Sequence, residues 1–405
     1  MGKKTSIRCP IHGFIELSEL EIKIINHPIF QRLRRIKQLA LTDMVYPSAT
    51  HTRFEHSIGV MYMATEMFNS LVKDEQNLEK LGLTKDNVAR VLKIVRLAAL
   101  LHDVGHPCFA HAGEKRMPFS SKSRKKQYKH EEYSIKAIRV FFKSIIEGNA
   151  YGITVDEVCY LIGEDIKPPE YLIALKGLIS SQMDADRADY LLRDSYHLGV
   201  RYGEYDKERF IRCITVGKTE GNSAILAIKE SGLQMAEHMV MARYSMFSSV
   251  YFHKVRRAYD RHAEKALKAV LLKADELSDG FFPPPSDDPE KLREYFKFDD
   301  YSVISAMAKG DGGVHGDIII NRNHYKEKKP SPWKGEGDKD DIKYLKKEYK
   351  NYFIDEGAVT DYYKSKDREK EIHILRDDGI TVPLSEISDM ITRIGQPKII
   401  RFYAP

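Results

Sequence analysis

The pair His102-Asp103 closes a strongly apolar stretch in which Val91, Leu92, Val95, Ala98, Ala99 and Leu101 leave little polar surface. Imidazole and carboxylate are both good ligands for a divalent cation, and side by side where a helix ends they can reach one centre. A lone His-Asp dipeptide is more often a buried histidine satisfied by its neighbour, so the flanks decide. Here the run goes on to His106 and His111, and an upstream segment supplies His51, Arg53 and His56. Five of the chain's 15 histidines fall in these two short segments, which core packing does not explain. Further on, Asp186, Tyr190 and Asp194 recur at i, i+4 and i+8 and share one helical face, with Arg187 beside the first. A solvated acidic face is the plainer reading, but Met183, Leu191 and Leu192 bury other sides of the same helix. The combination predicts a divalent-metal centre.

The elements that must position these groups are legible nearby. Thr52-Arg53-Phe54-Glu55 is a capping box, and Ile58, Met61, Ala64, Phe68 and Leu71 follow at helical spacing. A helix starting at Arg53 puts His56 in its first turns. The Val88–His102 segment is a deeply buried helix ended by Gly105 and Pro107, so its C-terminal end is shielded from bulk water. From about 18 to 280 the chain reads as successive amphipathic helices, with strand-like alternation limited to pieces such as Ser223–Ile228. A long helix from about 233 to 278 is expected to stop at Gly280, before a boundary or rigid connector at Pro283-Pro284-Pro285. Beyond lie turns at Gly310–Gly316, a Lys/Glu/Asp-rich stretch over 326–350 read as a solvated insertion, and alternating segments at Glu371–Leu375 and Lys398–Tyr403. The fold expected is mainly α, with a helical core over 1–280 and a smaller α+β accessory or oligomerisation region over 281–405.

Bulk properties exclude several classes. The 65 basic and 59 acidic side chains leave a net charge of +6, so no global field calls for nucleic acid. Only the basic segments 115–129 and 322–350 keep nucleic acid as a secondary partner. Four cysteines at 9, 108, 159 and 213 lack CxxC spacing and predict reduced thiols and a cytoplasmic location. No apolar run approaches the roughly eighteen residues of a membrane span, so no membrane partner is expected. The opening Met1–Ser6 fits the loose myristoylation pattern, but a pattern that short recurs by chance.

The order His56, His102-Asp103, Asp186 with these flanks resembles the HD-domain superfamily. The span from Cys9-Pro10-Ile11-His12-Gly13 through Phe30-Gln31-Arg32-Leu33-Arg34, Lys37-Gln38-Leu39 and Tyr46-Pro47 to His253-Lys254 resembles its deoxynucleoside triphosphate triphosphohydrolase branch. That resemblance fades after Pro283, and no sterile-α-motif segment is expected ahead of it. It implies His56, His102, Asp103 and Asp186 as metal ligands, with Asp184 a competitor for the last place. It further implies His111 as catalytic histidine with Glu114 as its carboxylate neighbour, and His106 and His130 as further active-site histidines. Arg53, Arg187 and Arg243 fall where the family grips phosphates, Arg187 replacing a lysine. Gln38, Leu39, Tyr190, Asp194 and Tyr251 match positions around the deoxyribose.

The implied reaction is hydrolysis of a deoxynucleoside triphosphate to deoxynucleoside and triphosphate. Arginine forks and a cation offset the phosphate charge, and a histidine returns a proton to the departing sugar oxygen. The implied cofactor is a divalent metal, Mn, Fe, Zn, Ni or more weakly Mg, with room for a second Mg arriving with the substrate. A homo-oligomer, dimer or tetramer, and a role in dNTP-pool control or phage defence complete the expectation. Other readings are a phosphohydrolase for a nucleoside mono- or diphosphate, an alarmone or a cyclic nucleotide, a nucleic-acid-binding nuclease, and a nucleotide sensor without turnover. Two departures bear on regulation: Asn26-His27-Pro28 and Arg8-Cys9 replace family residues that read an activating guanine nucleotide, so activator recognition is expected to differ or be absent.

Overall fold

The structure is a computed structural model describing residues 5–120, 123–219, 221–274, 279–329, 339–358, 371–394 and 398–405. Gly2 of the myristoylation pattern and the middle of the Lys/Glu/Asp-rich stretch lie outside the described residues. The architecture is mainly α, with small sheets at its periphery.

Helix Arg53–Leu71 begins where its capping box predicts, the Glu55 carboxylate accepting the Thr52 N–H at 2.9 Å. Its face of Ile58, Met61, Ala64, Phe68 and Leu71 is buried and packs on helix Val88–Leu101. In that second helix Val91, Val95, Ala98, Ala99 and Leu101 are fully buried. Each such valine or leucine contributes about 1.5–3 kcal/mol of burial free energy, so this helix pair is a main source of cohesion.

Helix Ala185–Leu198 packs against the other side of Arg53–Leu71 at Gly59. A Cβ there would lie 2.0 Å from Asp189 Oδ1 and 2.2 Å from Arg193 Nη2, so only glycine permits the approach. Helix His130–Ala137 is fastened at the His102-Asp103 turn by Ser134. Its hydroxyl donates to the His102 carbonyl at 2.7 Å and accepts from Gly105 N–H at 2.9 Å.

The predicted long helix over 233–278 is two helices, Leu233–Met246 and Lys254–Lys273, joined by a π turn at Phe247–Tyr251. The wider turn brings Tyr251 inward, where its hydroxyl bonds Asp194 at 2.5 Å. Gly310–Gly316 is likewise not all turn, because Gly313–Ile320 is helical and Gly316 packs against Met307. Within the stretch read as solvated, Lys326–Lys329 is a strand and Lys339–Glu348 a helix.

Helices Pro289–Phe296, Asp300–Ala308 and Gly313–Ile320 fold back beyond the proline run, and Leu292, Tyr295, Val303, Met307 and Ile319 join the same core as the N-terminal helices. Packing is therefore continuous across residue 280. Strands 326–329, 398–404 and 353–358 form one sheet in that order. Strand His373–Leu375 instead joins Ala224–Lys229 in parallel, with Ile228 opposite Ile374. All four cysteines are buried free thiols. No helix among the described residues is long and apolar enough to cross a membrane.

The Gly59 contact makes a prediction about stability. Gly59→Ala must push Asp189 and Arg193 aside and should destabilise the fold by about 1–3 kcal/mol, the usual cost of overpacking. Urea or thermal unfolding measures this, and an unchanged midpoint would contradict the packing described.

Candidate active site

His102 caps its helix with Nδ1 on the Ala99 carbonyl at 2.8 Å. That bond makes Nδ1 the protonated nitrogen and leaves Nε2 with a lone pair; Nε2 is buried and has no hydrogen-bond partner among the described residues. His56 is fixed in the same way, Nδ1 donating to Asp189 Oδ2 at 2.8 Å. Its Nε2 lies 3.0 Å from Asp186 Oδ1 and 3.8 Å from Asp103 Oδ2, and His102 Nε2 lies 3.6 Å from Asp103 and 3.9 Å from Asp186. Ligand atoms of His56, His102 and Asp103 all fall within 4.8 Å of one another. The four residues read from the sequence thus converge, and once His56 gives up its Nε2 proton they offer two imidazole lone pairs and two carboxylates suited to a divalent cation. Asp184 has a different role, as the cap of helix Ala185–Leu198. It accepts Arg187 N–H at 2.8 Å and also pairs with the Arg187 guanidinium.

The electrostatics show how strongly this centre draws positive charge, with a proton on His56 Nε2 against Asp186 in the place a cation would take. Burial opposes charge on His56, but its bonds to Asp186 and Asp189 outweigh this and push it up to about 10. Burial likewise opposes ionisation of Asp186, and His56 outweighs it, bringing the carboxyl down to about 2. Asp103 stays well below the carboxylate range against its burial, because Arg53 and three histidines surround it.

Beside this centre sits a histidine cluster. Glu114 bridges two members, accepting from His111 Nδ1 at 2.8 Å and from His130 Nδ1 at 2.5 Å. His106 stacks on His130 at 4.4 Å and is fully buried; burial, then Arg53 and His130, hold it well below the ordinary imidazole value. His130 goes the other way, with Glu114 overcoming burial to raise it to about 9. One neutral and one protonated imidazole therefore face each other near neutral pH. Phe109 and Ala110, which lead into His111, both adopt left-handed φ values of 56° and 50°. Asp300 secures this strained turn by accepting the Phe109 N–H at 2.8 Å.

A cavity of about 480 Å³ joins these groups to the other expected residues: Gln38, Leu39, Arg53, Arg187, Tyr190, Asp194, Arg243 and Tyr251 all line it. Asp194 accepts from His51 Nε2 at 2.8 Å and from Tyr251 Oη at 2.5 Å, keeping a second lone pair on each oxygen. Arg243 donates to Gln182 at 2.6 Å, and Arg187 Nε is buried without a hydrogen-bond partner among the described residues. Arg53 is turned to Asp103, with which it forms an ion pair. Of the basic segment 115–129, Lys115 reaches the cavity while Lys125 and Lys126 are exposed on the hairpin strand and do not line it. A larger cleft of about 650 Å³ lies alongside, shares Arg187, and has none of the metal-side residues.

Sequence reasoning missed Asp189, Arg193 and His12, which hold His56 from behind. Asp189 accepts from His12 Nε2 at 2.7 Å as well as from Arg193 Nε and Nη2, both at 2.8 Å. The available signal was the i, i+3 placement of Asp189 relative to Asp186. Also missed were Phe252 and, on the next helix, Arg256, Arg257 and Arg261, which line the cavity.

Residues 53–194 match the HD domain, and residues 205–329 match the HD associated region. The chain is 37% identical over 275 residues to an uncharacterized protein of Methanocaldococcus jannaschii, covering 67% of this chain and 51% of that one. It is 31% identical over 297 residues to the deoxynucleoside triphosphate triphosphohydrolase SAMHD1 of Homo sapiens, covering 67% of this chain and 44% of that one. The chain thus spans about half the length of these curated relatives. Among solved structures, a hypothetical protein from Aquifex aeolicus superposes with a TM-score of 0.78 at 26% identity, covering 99% of this chain and 96% of that one. A phosphohydrolase from Bacteroides thetaiotaomicron VPI-5482 gives 0.74 at 26% identity, covering 99% of each. From the helix of His56 to the strand that ends at Lys329, two adjoining family matches make this chain a member of the HD-domain family.

Proposed function

We propose that the chain hydrolyses deoxynucleoside triphosphates to deoxynucleoside and triphosphate. The observation that carries this reading is one cavity where Asp103 and Asp186 of the His56/His102/Asp103/Asp186 centre, the arginines 53, 187 and 243, and the Tyr190–Tyr251–Asp194 group meet. The similarity to a deoxynucleoside triphosphate triphosphohydrolase supports the same substrate class.

When bound at the four-residue centre, a divalent cation supplies Lewis acidity for a phosphoryl oxygen and lowers the pKa of water. The protein's own groups do the rest. Arg187 and Arg243 offset the phosphate charge in a desolvated pocket, where guanidinium forks are worth more than in water. Water oxygen bonds to the α-phosphorus as the bond from phosphorus to the sugar O5′ breaks, and O5′ needs a proton. His111, held by Glu114 through Nδ1, is the proposed donor. Tyr251 and Leu39 close the space about the sugar, and Asp194 accepts from its 3′-hydroxyl, so a ribose 2′-hydroxyl is excluded sterically.

Product analysis after incubation with each dNTP and rNTP plus Mn²⁺ or Mg²⁺ tests the reading. Deoxynucleoside and inorganic triphosphate are expected; nucleoside monophosphate with pyrophosphate, or no turnover, would overturn it. His111→Ala should leave metal content intact while the chemical step slows by about 100- to 10,000-fold, the worth of general acid catalysis. Rapid-quench single-turnover rates measure this, and a fully active variant would remove His111 from the role. Leu39→Ala should raise relative kcat/KM for rNTPs; wild-type enzyme that accepts both sugars equally would refute the steric account.

A further inference from the structure

One wall of the cavity has no part in the roles above. After Tyr251 the chain passes through Phe252 into helix Lys254–Lys273, whose Arg256, Arg257 and Arg261 line the cavity with Lys115. This cationic group is separate from the proposed phosphate grip. Arg243 has Tyr190, Arg187 and Asp184 as its charged and polar neighbours, whereas Lys115, beyond its burial, feels Arg261, Glu264, Arg257 and Asp355. Tyr190 and Tyr251 line the cavity along with both groups, their rings edge-on at 6.3 Å.

A nucleotide is linear in its parts: phosphates, sugar, base. With phosphates at Arg187 and Arg243 and sugar at Tyr190 and Tyr251, the base is the part left to meet the Arg257 wall. The wall is also rigidly built. Asp355, fully buried on strand Phe353–Ala358, accepts from Arg257 Nε at 2.8 Å and Nη2 at 2.5 Å, and lies 3.5 Å from Arg261 Nη2. The Arg257 guanidinium also sits 5.1 Å from the centre of the Phe252 ring. Asp260 is drawn to Arg256 and Arg257 at 3.7 and 3.9 Å, and Glu264 holds Arg261 at 3.4 Å.

Guanidinium groups only donate. Asp355 takes the Nε and Nη2 donors of Arg257, so the Arg257 Nη1 and the Arg261 guanidinium remain for a base edge of acceptors, which guanine supplies with O6 and N7 side by side. Adenine and cytosine place an amino donor on that edge, and thymine offers a single O4. We infer that Arg257 and Arg261, positioned by Asp355 of the C-terminal sheet, read the nucleobase and select guanine over adenine and cytosine. The inference rests on the nucleotide-hydrolase reading and adds to it a base preference and a role for the C-terminal strands.

Steady-state kcat/KM for dGTP, dTTP, dATP and dCTP tests it on the full chain as wild type, Arg261→Met, Asp355→Asn and Asp355→Glu. Wild type should favour dGTP over dATP by about 10- to 100-fold, the worth of one good base contact. Arg261→Met keeps the aliphatic stem, lies at a partly exposed position, and should erase most of that ratio through a higher KM for dGTP. Asp355→Asn should do the same and Asp355→Glu should restore part of it, which a merely structural carboxylate would not do. Equal kcat/KM for all four bases in wild type, or an unchanged ratio in Arg261→Met, would overturn the base wall and leave the hydrolase standing. No turnover of any dNTP would remove the hydrolase reading, and the wall with it.

Discussion

The buried carboxylate of Asp189 is the interaction on which the centre depends. It is fully buried and accepts from His12, His56 and, twice, Arg193. A charge buried this deeply persists only when its lone pairs are matched, and here they are. The consequence is directional: His56 must donate through Nδ1, so its Nε2 faces Asp186 and Asp103 as a ligand. Outer partners of this kind set both ring orientation and ligand basicity in metal sites. Gly59 enters the same account, because it alone lets the Asp189 helix come close enough.

A second constraint acts on the other ligand pair. His102 and Asp103 end a deeply buried helix, and the turn that follows is held from the far end of the sequence. Arg32, itself buried, donates to the carbonyls of His106 at 2.9 Å and of Phe298 at 2.9 and 2.6 Å. Asp300 takes the N–H groups of Lys37 and Phe109, both at 2.8 Å; burial pushes its carboxyl up to about 6, and these bonds partly offset that cost. The helices after the proline run are thus part of the scaffold of the histidine cluster, and Asp355 ties the C-terminal sheet to Arg257 of the cavity wall.

Much of this was legible in the sequence where local patterns carry it. The capping box and the phase of Ile58, Met61 and Ala64 placed His56, and the apolar run placed His102. The shared face of Asp186, Tyr190 and Asp194 is real, since all three line one cavity. Asp184 and Asp186 separate by a physical rule: the former is the N-cap, the latter the inward-facing residue of the first turn. The i, i+3 spacing of Asp189 from Asp186 hinted at a shared face but not at its role, because its partner His12 lies 177 positions away and periodicity reports only the face a helix buries, not what it meets there. The break at Phe247–Tyr251 escaped for a related reason. No glycine or proline marks it, and its stabilising contact is the tertiary bond from Tyr251 to Asp194.

The central claim is that the His56/His102/Asp103/Asp186 set, oriented by Asp189, holds a divalent cation. The most direct test is calorimetric titration of metal-stripped wild type and Asp189→Asn with Mn²⁺, with circular dichroism as a check on fold. The account predicts one site per chain in wild type and affinity about 10- to 100-fold weaker in the variant at unchanged helicity. Equal affinity in a folded Asp189→Asn protein, or no cation bound by wild type, would contradict it.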